Sequence, residues 1–292
     1  MTPQSPAPAP APVAGWPASR LAEGPVWDAG AGQLVWVDIP GGMLHRGDPV
    51  RGECICSDVG APVSVAIPRR EGGWLLGKAD GLYRWDADTG LGERWAAIEP
   101  ERPGNRLNDG ACDPAGRLWV GTMAADEAAG EAGLYRVDPH GDVRKMLDGV
   151  TISNGLGWSP DGTRFYYVDT PTGRVETFAF DAASGELGAR ETFVTFAPDD
   201  GSPDGLAVDA EGAIWVAMWG GGGVRRYTAD GELERVVELP VENVTSCAFG
   251  GRDGRTLFIT TAQGGDASMA AAGRVFAYDA SVAGAPVTPF VG

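Results

Sequence analysis

The sequence predicts an all-β fold, a six-bladed β-propeller with four-stranded antiparallel blades. Three observations carry this reading: a unit repeated along the chain, a recurrent third strand within it, and a near-constant spacing between copies. The unit is a short apolar run, a turn containing Gly, and a β-branched or aromatic run. It reads EGPVWDAGAGQLVWVDI from Glu23, DGACDPAGRLWVGTM from Asp109, NGLGWSPDGTRFYYVDT from Asn154, DGLAVDAEGAIWVAMW from Asp204 and SCAFGGRDGRTLFITT from Ser246. Turns such as Ser159-Pro160-Asp161-Gly162 and Asp209-Ala210-Glu211-Gly212, set between alternating runs, have the chemistry of β-hairpins.

A third strand follows in most units, as GLYRWD from Gly81, GLYRVD from Gly133, GRVETFAF from Gly173, GVRRY from Gly223 and GRVFAYD from Gly273. A fourth, shorter run comes next, such as RKMLDGV or LERVVELP, and four strands per unit make a propeller blade. Gly110 to Gly155 is 45 residues, Gly155 to Gly205 is 50, and Gly205 to the matching Cys247 is 42. Gly24 to Gly110 is 86 residues, room for two units, and the weaker VSVAIPRREGGWLLGKADGLYRWD from Val63 supplies the missing one. The count is therefore six.

Residues 16–292 read as one closed catalytic domain, with an early segment near 16–22 expected to pair beside the last blade and remove an open sheet edge. Residues 1–15, MTPQSPAPAPAPVAG, are Pro/Ala-rich, cannot bury apolar area and are expected to be a disordered tail. The formal net charge of −17 disfavours nucleic acid and anionic membranes, which want a basic face. No apolar run approaches the ~20 residues of a membrane span, and the N-terminus lacks a basic region followed by an apolar one. Cys54, Cys56, Cys112 and Cys247 are expected to be reduced in a cytoplasmic protein. Cys54 and Cys56 share one face of a strand, and such a C-x-C pair is a weak metal hint.

With only His45 and His140 in the chain, neither a three-His zinc site nor a Ser-His-Asp constellation is available. Chemistry must come from carboxylates and amides. Glu23-Gly24, Asn154-Gly155 and Asp204-Gly205 open three copies of the unit, in blades 1, 4 and 5. Equivalent positions in a cyclic repeat converge on the central channel. Two carboxylates and an amide oxygen there suit Ca²⁺, Mg²⁺ or Mn²⁺, and less typically Fe²⁺ or Zn²⁺. Three protein ligands would leave positions open for water and substrate. Blade 3 carries Asn105-Arg106-Leu107-Asn108-Asp109-Gly110, an arginine beside amides suited to gripping hydroxyl and carbonyl oxygens. Repeat alignment places Asp109 beside Asn154 and Asp204, and spacing alone does not choose between Asn108 and Asp109.

The combined set AEGPVW (22–27), NRLNDGACDPAGRLWVGTM (105–123), GLYRVDP (133–139), ISNGLGWSPDGTRFYYVDT (152–170), SPDGLAVDAEGAIWVAMWGG (202–221) and TSCAFGG (245–251) resembles the senescence marker protein, gluconolactonase and luciferin-regenerating-enzyme-like family. The similarity runs in order over roughly 20–280 and looks closest to bacterial sugar-acid lactonases, pentonolactonases such as xylonolactonase especially. The resemblance implies one divalent metal held by Glu23, Asn154 and Asp204. It implies substrate contacts from Arg106 and Asn108, with Asn108 near the metal through water. Some relatives carry a sugar-binding Glu after GTM, and Asp126 is its best counterpart here. The expected activity is hydrolysis of a pentono- or hexonolactone by a monomer, with Asp204 also activating the water or, alternatively, a metal-bound hydroxide attacking. A hydrolase of organophosphates or other esters, or a non-catalytic ligand-binding propeller, are the alternatives on the same fold.

Overall fold

The computed structural model describes residues 9–264 and 270–292. Among these, 24 strands form six four-stranded antiparallel sheets, each a blade. The first strand, β1 (Ala11–Pro12), precedes blade 1 in sequence but belongs to the last blade. Blade 1 is β2 (Ala22–Asp28), β3 (Gln33–Asp38), β4 (Met43–Asp48) and β5 (Glu53–Asp58). Blade 2 is β6 (Val65–Pro68), β7 (Trp74–Gly77), β8 (Gly81–Asp86) and β9 (Gly90–Ala97). Blade 3 is β10 (Asn105–Cys112), β11 (Leu118–Ala124), β12 (Ala132–Val137) and β13 (Val143–Val150). Blade 4 is β14 (Ser153–Trp158), β15 (Arg164–Asp169), β16 (Arg174–Asp181) and β17 (Glu186–Thr195). Blade 5 is β18 (Ser202–Val208), β19 (Ile214–Trp219), β20 (Gly223–Tyr227) and β21 (Leu233–Glu238). Blade 6 is β22 (Val244–Gly250), β23 (Thr256–Thr261) and β24 (Phe276–Asp279), completed by β1. The architecture is the expected six-bladed propeller.

The hairpin turns explain the repeat in the sequence. Asp113 and Asp209, both fully buried, end β10 and β18. Each accepts a hydrogen bond from the indole six residues on, Trp119 Nε1 at 3.0 Å and Trp215 Nε1 at 2.9 Å, and also from an arginine Nε, Arg117 at 2.6 Å and Arg226 at 2.9 Å. The D-x-x-G-x-x-W spacing is thus a buried charge satisfied within its own blade. Trp36, Trp119, Phe165, Trp215 and Phe258 from the second strands are buried between neighbouring blades, where the core lies.

Closure begins earlier in the chain than the 16–22 segment. Ala11 and Pro12 pair with Ala277 and Phe276, inside the stretch read as a disordered 1–15 tail, of which residues 1–8 lie outside the described residues. Pairing needs only backbone groups on one edge, which Ala and even an edge Pro can supply, so composition gave no sign of it. The 16–22 segment adds to the seal: Ser19 N–H donates to Gly273 O at 2.8 Å, and Leu21 bridges Ala262. The C-terminal segment spans the opposite face. Ala285 N–H donates to Val208 O in blade 5, Phe290 N–H to Pro68 O in blade 2, and Val291 N–H to Gly116 O in blade 3. No helix among the described residues is long and apolar enough to cross a membrane.

Candidate active site

The innermost strands β2, β6, β10, β14, β18 and β22 line the channel. Five of them carry a register shift, between Glu23 and Val26, Leu107 and Gly110, Asn154 and Leu156, Pro203 and Leu206, and Val244 and Ser246. Such a bulge re-aims the side chains next to it. Glu23, Asn108, Asn154 and Asp204 all sit at these shifts. β6 pairs with β7 without one and supplies no candidate.

The acid-or-amide-glycine pairs are therefore parts of strands, not turns. Gly155 and Gly205 have no left-handed φ. They are needed because adjacent inner strands approach closely: a Cβ on Gly155 would lie 2.6 Å from Asp204 O, and one on Gly205 would lie 2.1 Å from Ser246 Oγ. Only Gly24 adopts a left-handed φ, +52°.

A buried aspartate at the end of the second strand sets the approach to two of the pairs. Asp38 accepts from the N–H groups of Arg20 (2.9 Å) and Leu21 (3.2 Å), just before Glu23. Asp169 does the same for Ile152 (2.9 Å) and Thr151 (3.2 Å), just before Asn154. These residues escaped the sequence reading, although the shared V-D-I and V-D-T endings were a usable signal.

A directional hydrogen-bond chain then crosses three blades. Arg106 Nη1 donates to Asn108 Oδ1 at 2.7 Å. Asn108 Nδ2 donates to Asn154 Oδ1 and to Ser153 O, both at 2.8 Å. Asn154 Nδ2 donates to Thr170 Oγ1 at 2.8 Å, and Thr170 Oγ1 donates to Pro203 O at 2.8 Å, next to Asp204. The chain fixes which way each amide faces. Asn154 gives its nitrogen to Thr170 and keeps an oxygen lone pair free, the orientation a metal ligand needs. Thr170 was invisible in the sequence because its partner lies in the next blade.

The electrostatics are those of an acid-rich pocket. Burial raises the Glu23 carboxyl to about 8, with the Asp109 charge adding to it, against the Gly24 N–H and Arg106. Burial also raises Asp204 well above the carboxylate range, reinforced by Glu23 and Asp109. Asp109 rises to about 6 through burial, opposed by the Gly110 N–H. Burial lowers the Arg106 guanidinium, while Glu23, Asp204 and Glu127 hold it up. Three carboxylates against one guanidinium leave two negative charges uncompensated when all are ionised. Asp204 is 6% exposed and its Oδ1 has no hydrogen-bond partner. A divalent cation fits this set: it would balance the charge and give the orphaned oxygen a partner.

Asn108 and Asp109 diverge. Asn108 joins the amide chain, whereas Asp109 accepts from Gly110 N–H at 2.7 Å and lines a cavity of about 390 Å³ further down the channel. Asp126 is exposed and accepts from Ala128 N–H at 3.2 Å within its own turn. Its neighbour Glu127, held at a left-handed φ of 57°, is the acid whose charge reaches Arg106.

Residues 21–263 match the family described as SMP-30/Gluconolactonase/LRE-like region. The chain belongs to this family. It is 40% identical to the pentonolactonase XacC of Haloferax volcanii, over 91% of this chain and 93% of that one. It is 36% identical to the putative sugar lactone lactonase YvrE of Bacillus subtilis, over 83% of each. A solved structure of regucalcin from Agrobacterium tumefaciens, described as a calcium-binding protein, superposes with a TM-score of 0.89 at 31% identity, covering 98% of this chain and 97% of that one. Membership of the SMP-30/gluconolactonase family agrees with the resemblance carried by the motifs.

Proposed function

We propose that the chain is a metal-dependent lactonase that opens a sugar aldonolactone, of pentono or hexono type, to the sugar acid. One observation carries the reading: Glu23 and Asp204 crowd a channel mouth within reach of the Asp109 charge below them, Arg106 alone among the described residues balances the three, and Asp204 Oδ1 is buried without a partner. The pentonolactonase and sugar lactone lactonase names of its relatives support the substrate class.

Glu23, Asn154 and Asp204 would hold the cation through oxygen donors, which admits Ca²⁺, Mg²⁺ or Mn²⁺ and also Fe²⁺ or Zn²⁺. The cation supplies Lewis-acid polarisation of the lactone carbonyl. Asp204 would take a proton from the attacking water, its Oδ1 being buried without another partner; a hydroxide held by the cation is the alternative base. The water oxygen bonds to the carbonyl carbon, the ring C–O bond breaks, and the ring oxygen leaves as a hydroxyl by taking the proton that the water gave up to the base. Arg106 and Asn108 orient the sugar hydroxyls, because positioning supplies a large share of the rate gain. The charge of Glu127, next to Asp126, reaches Arg106. The four free cysteines suit a cytoplasmic enzyme.

The test compares chelator-treated and reconstituted protein on pentono- and hexonolactones. Hydrolysis should rise well above the spontaneous rate only after a divalent cation is added. Equal rates with and without cation on every lactone would remove the reading.

A further inference from the structure

A second constellation lies away from the channel, on the outer strands of blade 1. His45 on β4 pairs in register with Cys56 on β5, and Cys54 is on the same face of β5. We propose that His45, Cys54 and Cys56 form a separate metal site for a borderline-soft divalent ion, Zn²⁺ above all.

The geometry is close to what such an ion requires. The two sulfurs are 3.9 Å apart, His45 Nδ1 is 3.2 Å from Cys56 Sγ, and all three ligand atoms lie within 4.8 Å of one another. With Zn–S near 2.3 Å and Zn–N near 2.05 Å, a tetrahedral ion separates two sulfurs by about 3.8 Å and a sulfur and nitrogen by about 3.5 Å. The sulfur–sulfur and Nδ1–Cys56 separations are within a few tenths of an ångström of these values, and a side-chain adjustment would bring the third pair in. The ligand types discriminate too: thiolates and an imidazole select zinc-like ions over the calcium or magnesium that carboxylates favour.

His45 carries the strongest indication. It is 4% exposed, stacked on Trp36 with ring centroids 4.9 Å apart, and its Nε2 has no hydrogen-bond partner. Burial lowers its basicity, which favours the uncharged ring, and Nδ1 faces the Cys56 sulfur. His45 lies within β4. Ligation gives this buried ring a bond that the protein alone supplies only through a thiol. Cys56 is exposed and Cys54 half-buried, so an ion can enter and the fourth position faces solvent.

A disulfide is the competing use of the two thiols. Residues two apart on an extended strand have Cα atoms about 6.8 Å apart, at the limit of disulfide geometry, with Cβ atoms pointing the same way. Bridging them would buckle the strand that pairs with β4. An ion spans the gap without that distortion.

Cobalt absorption gives a sulfur-specific readout, distinct from the oxygen donors of the channel and from lactone turnover. Reduced, chelator-treated full-length protein titrated with Co²⁺ should develop thiolate-to-cobalt charge-transfer absorption in the near-ultraviolet that saturates at about one equivalent, and Zn²⁺ should abolish it. Cys54→Ser and Cys56→Ser should each remove it, while lactone hydrolysis stays within about twofold of the parent. Cys56 is exposed, so its variant tests ligation without disturbing the core. Absence of the band in the parent, which would mean hydrogen-bonded thiols only, overturns the site. So does a band that survives in the doubly substituted protein.

Discussion

The two ends of the central channel are made from the same inner strands, yet they have opposite chemistry. The N-terminal halves of the strands bring Glu23, Arg106, Asn108, Asn154 and Asp204 together. The C-terminal halves line the cavity with Val26, Ile67, Leu156, Trp158 and Phe249, and residues 285–288 close around it. One end is acidic, bulged and short of partners; the other is apolar, regular and sealed by the chain's own terminus. The boundary is the register shift. Where a strand has one, polar side chains are re-aimed at the mouth; β6, which has none, adds only apolar lining. The propeller thus concentrates unfavourable electrostatics at one end and the packing that offsets it elsewhere.

The contrast is tested most severely at Asp204. Asp204→Ala should lower lactone turnover by at least about 10³-fold while leaving the melting temperature of the metal-free protein unchanged or higher, since a destabilised buried charge is removed. Retained hydrolysis in that variant would sink the role. Phe290→Ala, at the sealed end, should do the reverse. Truncating this fully buried ring should cost roughly 3–5 kcal/mol of stability with kcat little changed at a temperature where the protein stays folded. Chemical denaturation alongside initial rates would show whether the two ends separate in this way.

Two smaller effects probe the amide chain and its charge. Thr170→Val removes the acceptor of Asn154 Nδ2, which should weaken cation affinity by about 10–100-fold, read by metal titration of activity. Without metal, stability should fall as pH rises from about 4.5 to about 8. Glu23 is raised to about 8 in the folded state, so the native protein binds the extra proton across that window and loses the advantage above it. Asp109, raised to about 6, acts in the same direction. A saturating divalent cation should flatten the slope, and Glu23→Gln should reduce it. Thermal melts over this pH range, with and without cation, decide. The smallest effect is expected from Asp126→Ala, under about twofold on KM, because its carboxylate is engaged in its own turn.

The blades were legible because each hairpin carries a local turn signal, a glycine between two apolar runs, joined in blades 3 and 5 by a buried Asp with a Trp six residues on. The equivalent positions of Glu23, Asn154 and Asp204 were legible because they repeat. What was hidden depends on contacts between blades or on backbone alone. Thr170 acts on Pro203 across a blade boundary, and Ala11–Pro12 pairs through main-chain groups with no side-chain signature. Asn108 and Asp109 could not be separated by alignment because the bulge between Leu107 and Gly110 removes the fixed register on which alignment relies.

The pairing of Ala11 with Ala277 also matters for how the protein is made. A ribosome delivers residue 277 long after residue 11, so β1 waits without the rest of blade 6 and the ring stays open through most of translation. Blades 1 to 5 can each form local hairpins as they emerge, but their outermost members have no closed circle to join until the final stretch is released. Truncated or stalled products therefore carry an unpaired sheet edge and are natural substrates for quality control, whereas the completed chain removes that edge in a single late step.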